Sequence, residues 1–423
     1  MVCMGNKCRA TFSDAVFNRC SLVVVGRAQV TLHSPQFKDM KNSRVGLSVY
    51  VHGSGSCVQI KGGAIEGGIQ GVTVQAAARL EASDLTVIGM QYAGMEVCGA
   101  GSVLTAAGGA VCDMLSVDAV DERFVDYGDL ADQHGVHVHT EGCAQLSSMT
   151  VSGARTGVGA YSGATARLDG CTVSHGHSVA ECVVVRGGST ARLDNSTLSH
   201  GGCGLDVHDA LTHVTATSCQ LLHNTNGDGD GDGAAVYSDA TLTLHGCTSA
   251  HNDNGYYCKG GKLEMASCTS DGDIHGLFVN EGHLTASQMS VTKSQRAGIY
   301  VAGGKADLKS CSATSCGGAG MLLCSGSKSS VEHCTLVRNK FAGIVASSDA
   351  AVAVRRCDSR ENGGRGYLAQ GGAQMAVVQS CSAGDEAGCV VAGPGKSKLT
   401  MEHVSVDGVV KSCTLLFESG GSQ

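Results

Sequence analysis

A short motif that returns about every 23 residues constrains this chain more than any other feature. It reads LDGCTVSH, LDNSTLSH, LHGCTSAHN, LKSCSATS, VEHCTLVRN and VRRCDSREN along the sequence. Aligned on its cysteine, the repeated position is held by Met149, Cys171, Ser196, Cys219, Cys247, Cys268, Met289, Cys311, Cys334, Cys357, Cys381 and Val404, at spacings of 21 to 28 residues. A unit this short cannot bury a core alone, so successive units must stack. About ten residues after the cysteine comes a glycine followed by alternating apolar residues: GLDV from Gly204, GLFV from Gly276, GIYV from Gly298, GIVA from Gly343 and GCVV from Gly388. Period-two alternation marks a half-buried strand.

The phase within a unit adds a corner. Apolar residues stand three before the cysteine (Leu168, Leu193, Leu244, Leu308, Val331) and two after it (Val173, Leu198, Leu221, Leu336). One straight strand cannot point both sets inward, so a bend must fall between them, at Asp169-Gly170 or Asn195. The expected fold is all-β: a right-handed parallel β-helix solenoid of about 16 coils of about 23 residues, with three short strands per coil. Weaker matches run back to the start, at Cys20, at GLSVYV from Gly46, at GVTV from Gly71 and at GMEV from Gly94. A compact fold of 423 residues would usually split into domains. A solenoid need not, so 1–423 is expected to be one domain. Within it, 1–15 reads as an N-terminal edge or cap, 113–133 as an acidic inserted loop, and 416–423 as a polar tail.

Composition excludes several function classes. The net charge of −8 argues against a phosphate-backbone binder, which needs clustered Lys and Arg. No apolar run reaches the roughly 20 residues of a membrane-spanning helix. The N-terminus lacks the basic-then-apolar layout of a signal peptide, which points to an intracellular, cytoplasmic setting. The 22 cysteines contain no C-x-x-C pair, which weighs against zinc ribbons and thioredoxin-like chemistry.

The motif, as in VEHCTLVRNKFAGIVA and LKSCSATSCGGAGMLL, resembles the parallel β-helix repeat of the pectate-lyase-like superfold. It is most similar in flavour to the β-helix regions of eukaryotic F-box and Shc-SH2-binding proteins. The resemblance covers about residues 10–415 and implies the fold more than a function. No F-box helices accompany it, so a ligase-adaptor role is not implied.

Stacking turns sequence columns into ladders. The cysteine column is expected to fill a narrow core with small reduced thiols. Four residues on, His175, His200, His223 and His251 occupy four successive coils, followed farther along by Arg338 and Glu361 one coil apart, an expected exposed ion pair. Beside them runs a partial asparagine column, Asn224, Asn252, Asn339 and Asn362, expected to bond from coil to coil. The histidines are either a solvated stack or ligands for a divalent metal. The segment NGDGDGDG fits part of a calcium-loop pattern through Asp228, Asp230 and Asp232, with Asp239 at the place of the last ligand. It is either an acidic loop or a weak site for a divalent metal such as calcium; no other cofactor is implied.

Enzymes of the resembling superfold need in-phase acids. Asp169 and Asp194 stack, but at a bend, and Asp206 and Asp209 find no matching acids in the neighbouring coils. The expected function is therefore a non-catalytic scaffold contacting other proteins of an assembly, with end-to-end or side-by-side solenoid contacts. The alternative is a polysaccharide-active lyase, hydrolase or epimerase.

Overall fold

A computed structural model describes residues 1–6, 8–40, 46–114, 133–175, 180–226, 231–385, 390–392 and 396–417. All regular elements among them are β-strands, and the parallel solenoid makes about 16 turns. The chain forms two compact units, Met1–Thr215 and Ala216–Gln423. Most of the expected inserted loop, 115–132, lies outside the described residues, as do 418–423 of the tail.

In the first unit a coil runs Cys143–Ser147, Thr150–Ser152 and Thr156–Tyr161, and the next repeats it as Thr165–Asp169, Thr172–Ser174 and Glu181–Val185. Each strand pairs in parallel with its counterpart: Leu146 with Leu168, Val151 with Val173, Val158 with Val183. The second unit repeats the plan. There Lys305–Lys309, Ser312–Thr314 and Met321–Cys324 pair with Lys328–Glu332, Thr335–Val337 and Ile344–Ala346. Each unit thus has three sheets, called first, second and third in coil order.

The corner between first and second strands falls where the phase argument placed it. Gly170 and Asn195 hold φ of 61° and 51°, and Ser310, His333 and Arg356 hold 53°, 54° and 51°. Left-handed backbone disfavours most side chains, yet the corner amides stay in the ladder. Ser310 N–H donates to the Glu332 carbonyl at 2.8 Å, and Arg356 N–H to the Val378 carbonyl at 3.0 Å.

The cysteine column fills the core as expected, and it also bonds. Cys311 N–H donates to Cys334 Sγ, and Cys334 N–H to Cys357 Sγ, both at 3.4 Å. Each thiol in turn donates to the carbonyl two residues back, as Cys357 does to Arg355 at 3.3 Å. A serine hydroxyl meets the same demand. Ser196 accepts from Cys171 N–H, and Ser380 from Cys357 N–H, both at 3.1 Å. This corrects the alignment at Cys381, which pairs with Asp358 and lies one place beyond the column. Cys20 is also off the column, whose early members are Ala15 and Pro35, each preceding the paired strands Val16–Asn18 and Gln36–Lys38.

The glycine column has a steric cause. A Cβ on Gly276 would sit 2.3 Å from Val291 Cγ1 and 2.8 Å from the Gly298 carbonyl oxygen, so the third strand passes too close to the second for any side chain. One assignment slips here, and Gly388 lies outside the described residues. Val49 pairs with Val72, so Ser48 rather than Gly46 faces Gly71.

Of the two readings for residues 1–15, edge or cap, the strands fit an edge: Val2–Met4 and Arg9–Ser13 pair in parallel with Leu22–Val25 and Gln29–His33 as a first coil. At the other end Ser397–Val406 turns at Asp407-Gly408 and pairs antiparallel with Val409–Phe417, so Leu416 and Phe417 belong to a strand instead of a tail. Asp-Gly suits such a two-residue turn because both positions need positive φ; here they are 46° and 84°.

Candidate functional site

The histidine column is only partly a ladder. His200, His223 and His251 are exposed at left-handed corners, with φ of 60°, 55° and 58°. His223 and His251 stack with ring centroids 5.1 Å apart. His175 differs: it is buried and lies beneath Gly157, where an added Cβ would meet its Nε2 at 3.1 Å. The asparagine column is realised in full. Asn252 Oδ1 accepts from Asn224 N–H and Nδ2, Asp273 Oδ1 accepts from Asn252 N–H at 2.7 Å, and Asn362 and Asp385 continue the pattern below Asn339. Arg338 and Glu361 pair at 3.1 Å with both side chains exposed.

Of the calcium-loop set, Asp228 and Asp230 lie outside the described residues. Asp232 opens the strand Asp232–Tyr237 and is buried, accepting from Asn254 Nδ2 at 2.9 Å and from the Tyr237 hydroxyl at 3.2 Å. Asp239 is exposed in the turn after that strand.

The chemistry gathers instead on the outer face of the third sheet. In the first unit, alternation after the glycine column points every second residue outward. The strand Thr86–Cys98 presents Glu96, His134–His139 presents His137 and His139, and Thr156–Tyr161 presents Tyr161. Parallel pairing sets Glu96 beside His137 and Cys98 beside His139. Glu96 is buried, and its Oε1 lies 3.1 Å from His139 Nε2 and 4.0 Å from His137 Nδ1, while its Oε2 accepts from Gln70 Nε2 at 2.8 Å. The Tyr92 hydroxyl reaches His137 Nδ1 at 3.3 Å. His134, His137 and His139 form a stack with centroids 4.2 and 4.4 Å apart, and Tyr161 meets the first two edge-on. Burial, then the nearby His139, pushes His134 down to about 3; burial, then His134 and His139, does the same for His137. Both rings are neutral at physiological pH. Farther along, Asp206 is buried between Arg186 Nη2 at 2.6 Å and His208 Nε2 at 2.7 Å.

The second unit carries a different face. Tyr257, Phe278, Tyr300, Leu322, Val345 and Leu368 stand in register at one outward position. Phe278 and Tyr300 stack 4.7 Å apart and nearly parallel, Tyr257 tilts onto Phe278 at 5.2 Å, and Tyr237 meets Tyr257 edge-on at 5.6 Å. Leu322 packs on a buried cluster of Ala319, Ala342, Val345 and Leu368. Tyr256 is not part of this face: it points inward, fully buried, and donates to the Cys247 and Thr269 carbonyls. The corresponding outward column of the first sheet reads Thr243, Glu264, Thr285, Asp307, Ser330, Ala353, Ala376 and Thr400. That of the second reads Thr248, Thr269, Ser290, Ser312, Thr335 and Asp358.

The family model described as right-handed beta helix region matches residues 156–283 and 275–423. The chain belongs to this family. No curated protein matches this β-helix chain. Among solved structures it is similar to the catalytic domain of a GH87 alpha-1,3-glucanase (10% identity, TM-score 0.29, 80% of this chain and 62% of that one), so it spans about six tenths of that chain's length. It is also similar to the periplasmic alginate epimerase AlgG (9%, 0.21, 90% and 78%) and to PfbA, a surface adhesin of Streptococcus pneumoniae (7%, 0.26, 82% and 81%). Identity this low leaves function to be read from the residues of this β-helix itself.

Proposed function

We propose that the protein is a non-catalytic binding scaffold that presents the outer face of the third sheet of its second unit to an extended protein partner. The observation that carries this is the outward column Tyr257, Phe278, Tyr300 and Leu322, half-buried and in register on four successive coils. A solvated sheet face normally alternates to polar residues outside. The outward columns of the first and second sheets of the same unit are mostly polar and carry no large apolar side chain, and that of the third is apolar. Contiguous exposed apolar surface marks an interaction site, and parallel coils offer a flat, regular track for an extended chain.

The acids of the first unit support a non-catalytic reading. Glu96 and Asp206 share one outward column but are separated by His137, Gly159 and Val184. Four strand spacings amount to about 19 Å, about twice the widest carboxylate separation of inverting glycosidases, roughly 9.5 Å. Each acid is also held by its neighbours, Glu96 by Gln70 and Asp206 by Arg186.

The test uses the full chain on arrays of extended peptides and of polysaccharides, beside the variant Tyr257→Ser/Phe278→Ser/Tyr300→Ser. Peptide binding that falls at least tenfold in the variant, with an unchanged far-UV spectrum, is the expected result. Binding confined to polysaccharides and accompanied by bond cleavage at enzyme-like rates, about 1 s⁻¹ or more, would overturn it.

A further inference from the structure

We propose that Glu96, His137 and His139 form a binding site for a borderline divalent transition ion, with zinc as the representative case. The three side chains each bring one ligand atom, and these atoms lie within 4.8 Å of one another, the one group of three or more such ligands among the described residues. Two imidazoles and a carboxylate are the donor set of open zinc and related sites, whereas calcium and magnesium prefer oxygen alone. At ligand distances of about 2.0–2.1 Å a tetrahedral ion needs its ligands about 3.3 Å apart. His139 Nε2 and Glu96 Oε1 stand at 3.1 Å, and His137 Nδ1 and Glu96 Oε1 at 4.0 Å. The two histidine nitrogens lie within 4.8 Å of each other, so side-chain rotation that draws the stacked rings together closes the set.

The surroundings are built as a metal site's surroundings usually are. Gln70 Nε2 holds the other carboxylate oxygen at 2.8 Å, fixing which one faces the histidines. His137 and His139 come from one strand, two residues apart, so the sheet itself aims both rings to one side. A second observation is independent of the trio. His134 is almost fully buried against His137, and its Nδ1 has no hydrogen-bond partner. A buried ring nitrogen left unmet is expensive, about 1–3 kcal/mol, and His134 Nδ1, in the same imidazole stack, is left so among the described residues. The Tyr92 hydroxyl, 3.3 Å from His137 Nδ1, brings a further oxygen to the site. The site lies within the first unit and is separate from the aromatic face proposed to bind a partner.

The test is titration of the full chain with Zn²⁺ by calorimetry and with Co²⁺ by visible absorption, under reducing conditions. The isosteric variant Glu96→Gln, the variant His139→Gln and the control His223→Gln/His251→Gln are compared. The expected result is one equivalent bound, with Co²⁺ showing nitrogen and oxygen ligation without thiolate charge transfer. Affinity falls at least about 100-fold in either site variant and about tenfold in Gln70→Ala, and holds in the control. No binding at all, a thiolate charge-transfer spectrum, loss in the control, or an unchanged affinity in a folded Glu96→Gln protein would each overturn the assignment.

Discussion

Asn362 and Glu361 are neighbours in sequence, yet substitution of each by alanine should have consequences of very different size. Asn362 is fully buried. Its Oδ1 accepts from the N–H and the Nδ2 of Asn339, both at 3.0 Å, and its Nδ2 donates to the Leu336 carbonyl at 3.2 Å, to Ser359 Oγ at 3.0 Å and to Asp385 Oδ1 at 2.9 Å. Asn362→Ala strips the acceptor from two buried donors and the donor from one buried carbonyl. Each such orphan costs about 1–3 kcal/mol, and neighbours are not additive, so the loss should be about 3–5 kcal/mol. Glu361 pairs with Arg338 on the surface, with both side chains more than half exposed, so Glu361→Ala should cost about 0–1 kcal/mol. Solenoids can unfold in steps. Urea unfolding is therefore read together with hydrogen exchange of the segment 335–346, whose Asn339 amide loses its acceptor. Equal losses for the two variants, or an Asn339 amide as protected as before, would refute the ladder argument.

Other expectations follow from the same geometry. Gly276→Ala should lower stability by about 1–3 kcal/mol as overpacking, because its Cβ would press on Val291 at 2.3 Å; thermal unfolding reads it. Cys334→Ser should stay within about 1 kcal/mol of the native protein, whereas Cys334→Val leaves the Cys311 N–H without its acceptor and should cost about 1–3 kcal/mol by the same measurement. Cys182 is pushed up to about 12 by burial, so a thiol reagent at pH 8 should leave it unmodified in the folded chain and label it on unfolding, as mass spectrometry would show. His275 is held down to about 4, by burial first and then by Arg296. Its folded value lies below its unfolded one, so the neutral ring's contribution is full above about pH 6.5 and is lost as pH falls from there through about 4. Urea midpoints between pH 7 and 4 should fall less steeply in His275→Gln; parallel slopes would contradict this.

The fold was legible because a solenoid writes its period into the chain. The corner at Asp169-Gly170 followed from parity alone, and the asparagine ladder from its spacing. The slips share a cause. Alignment on cysteine treated the column as a place for a small apolar side chain, but it is a hydrogen-bonding corner that takes Ser380 as readily as Cys357, and so Cys381 drew the register one residue on. The Glu96–His137–His139 group was hidden because the segment around 115–132 separates adjacent coils, stretching the step between paired residues well beyond 23. Once HGVHVH is taken as a strand, the alternation alone puts His137 and His139 on one side, and that signal was present. The histidine column takes the solvated form, one of its two readings, at three of its four members. Equal spacing places residues at equivalent corners, but the left-handed backbone of His200, His223 and His251 points them to solvent, whereas His175 turns inward beneath Gly157. The aromatic face was not legible without strand register, which alone separates Tyr257, outside, from Tyr256, in the core.

Hydroxyl-radical footprinting of the full chain, free and with a peptide selected on the array, tests the central claim most directly. With no tryptophan in the chain, its tyrosines and phenylalanines are the main aromatic reporters. The account predicts that protection on binding concentrates at Tyr257, Phe278, Tyr300 and Leu322, with Tyr50 and Tyr161 unchanged. Protection on the outer column of the first sheet, with those four residues as reactive as before, would contradict it.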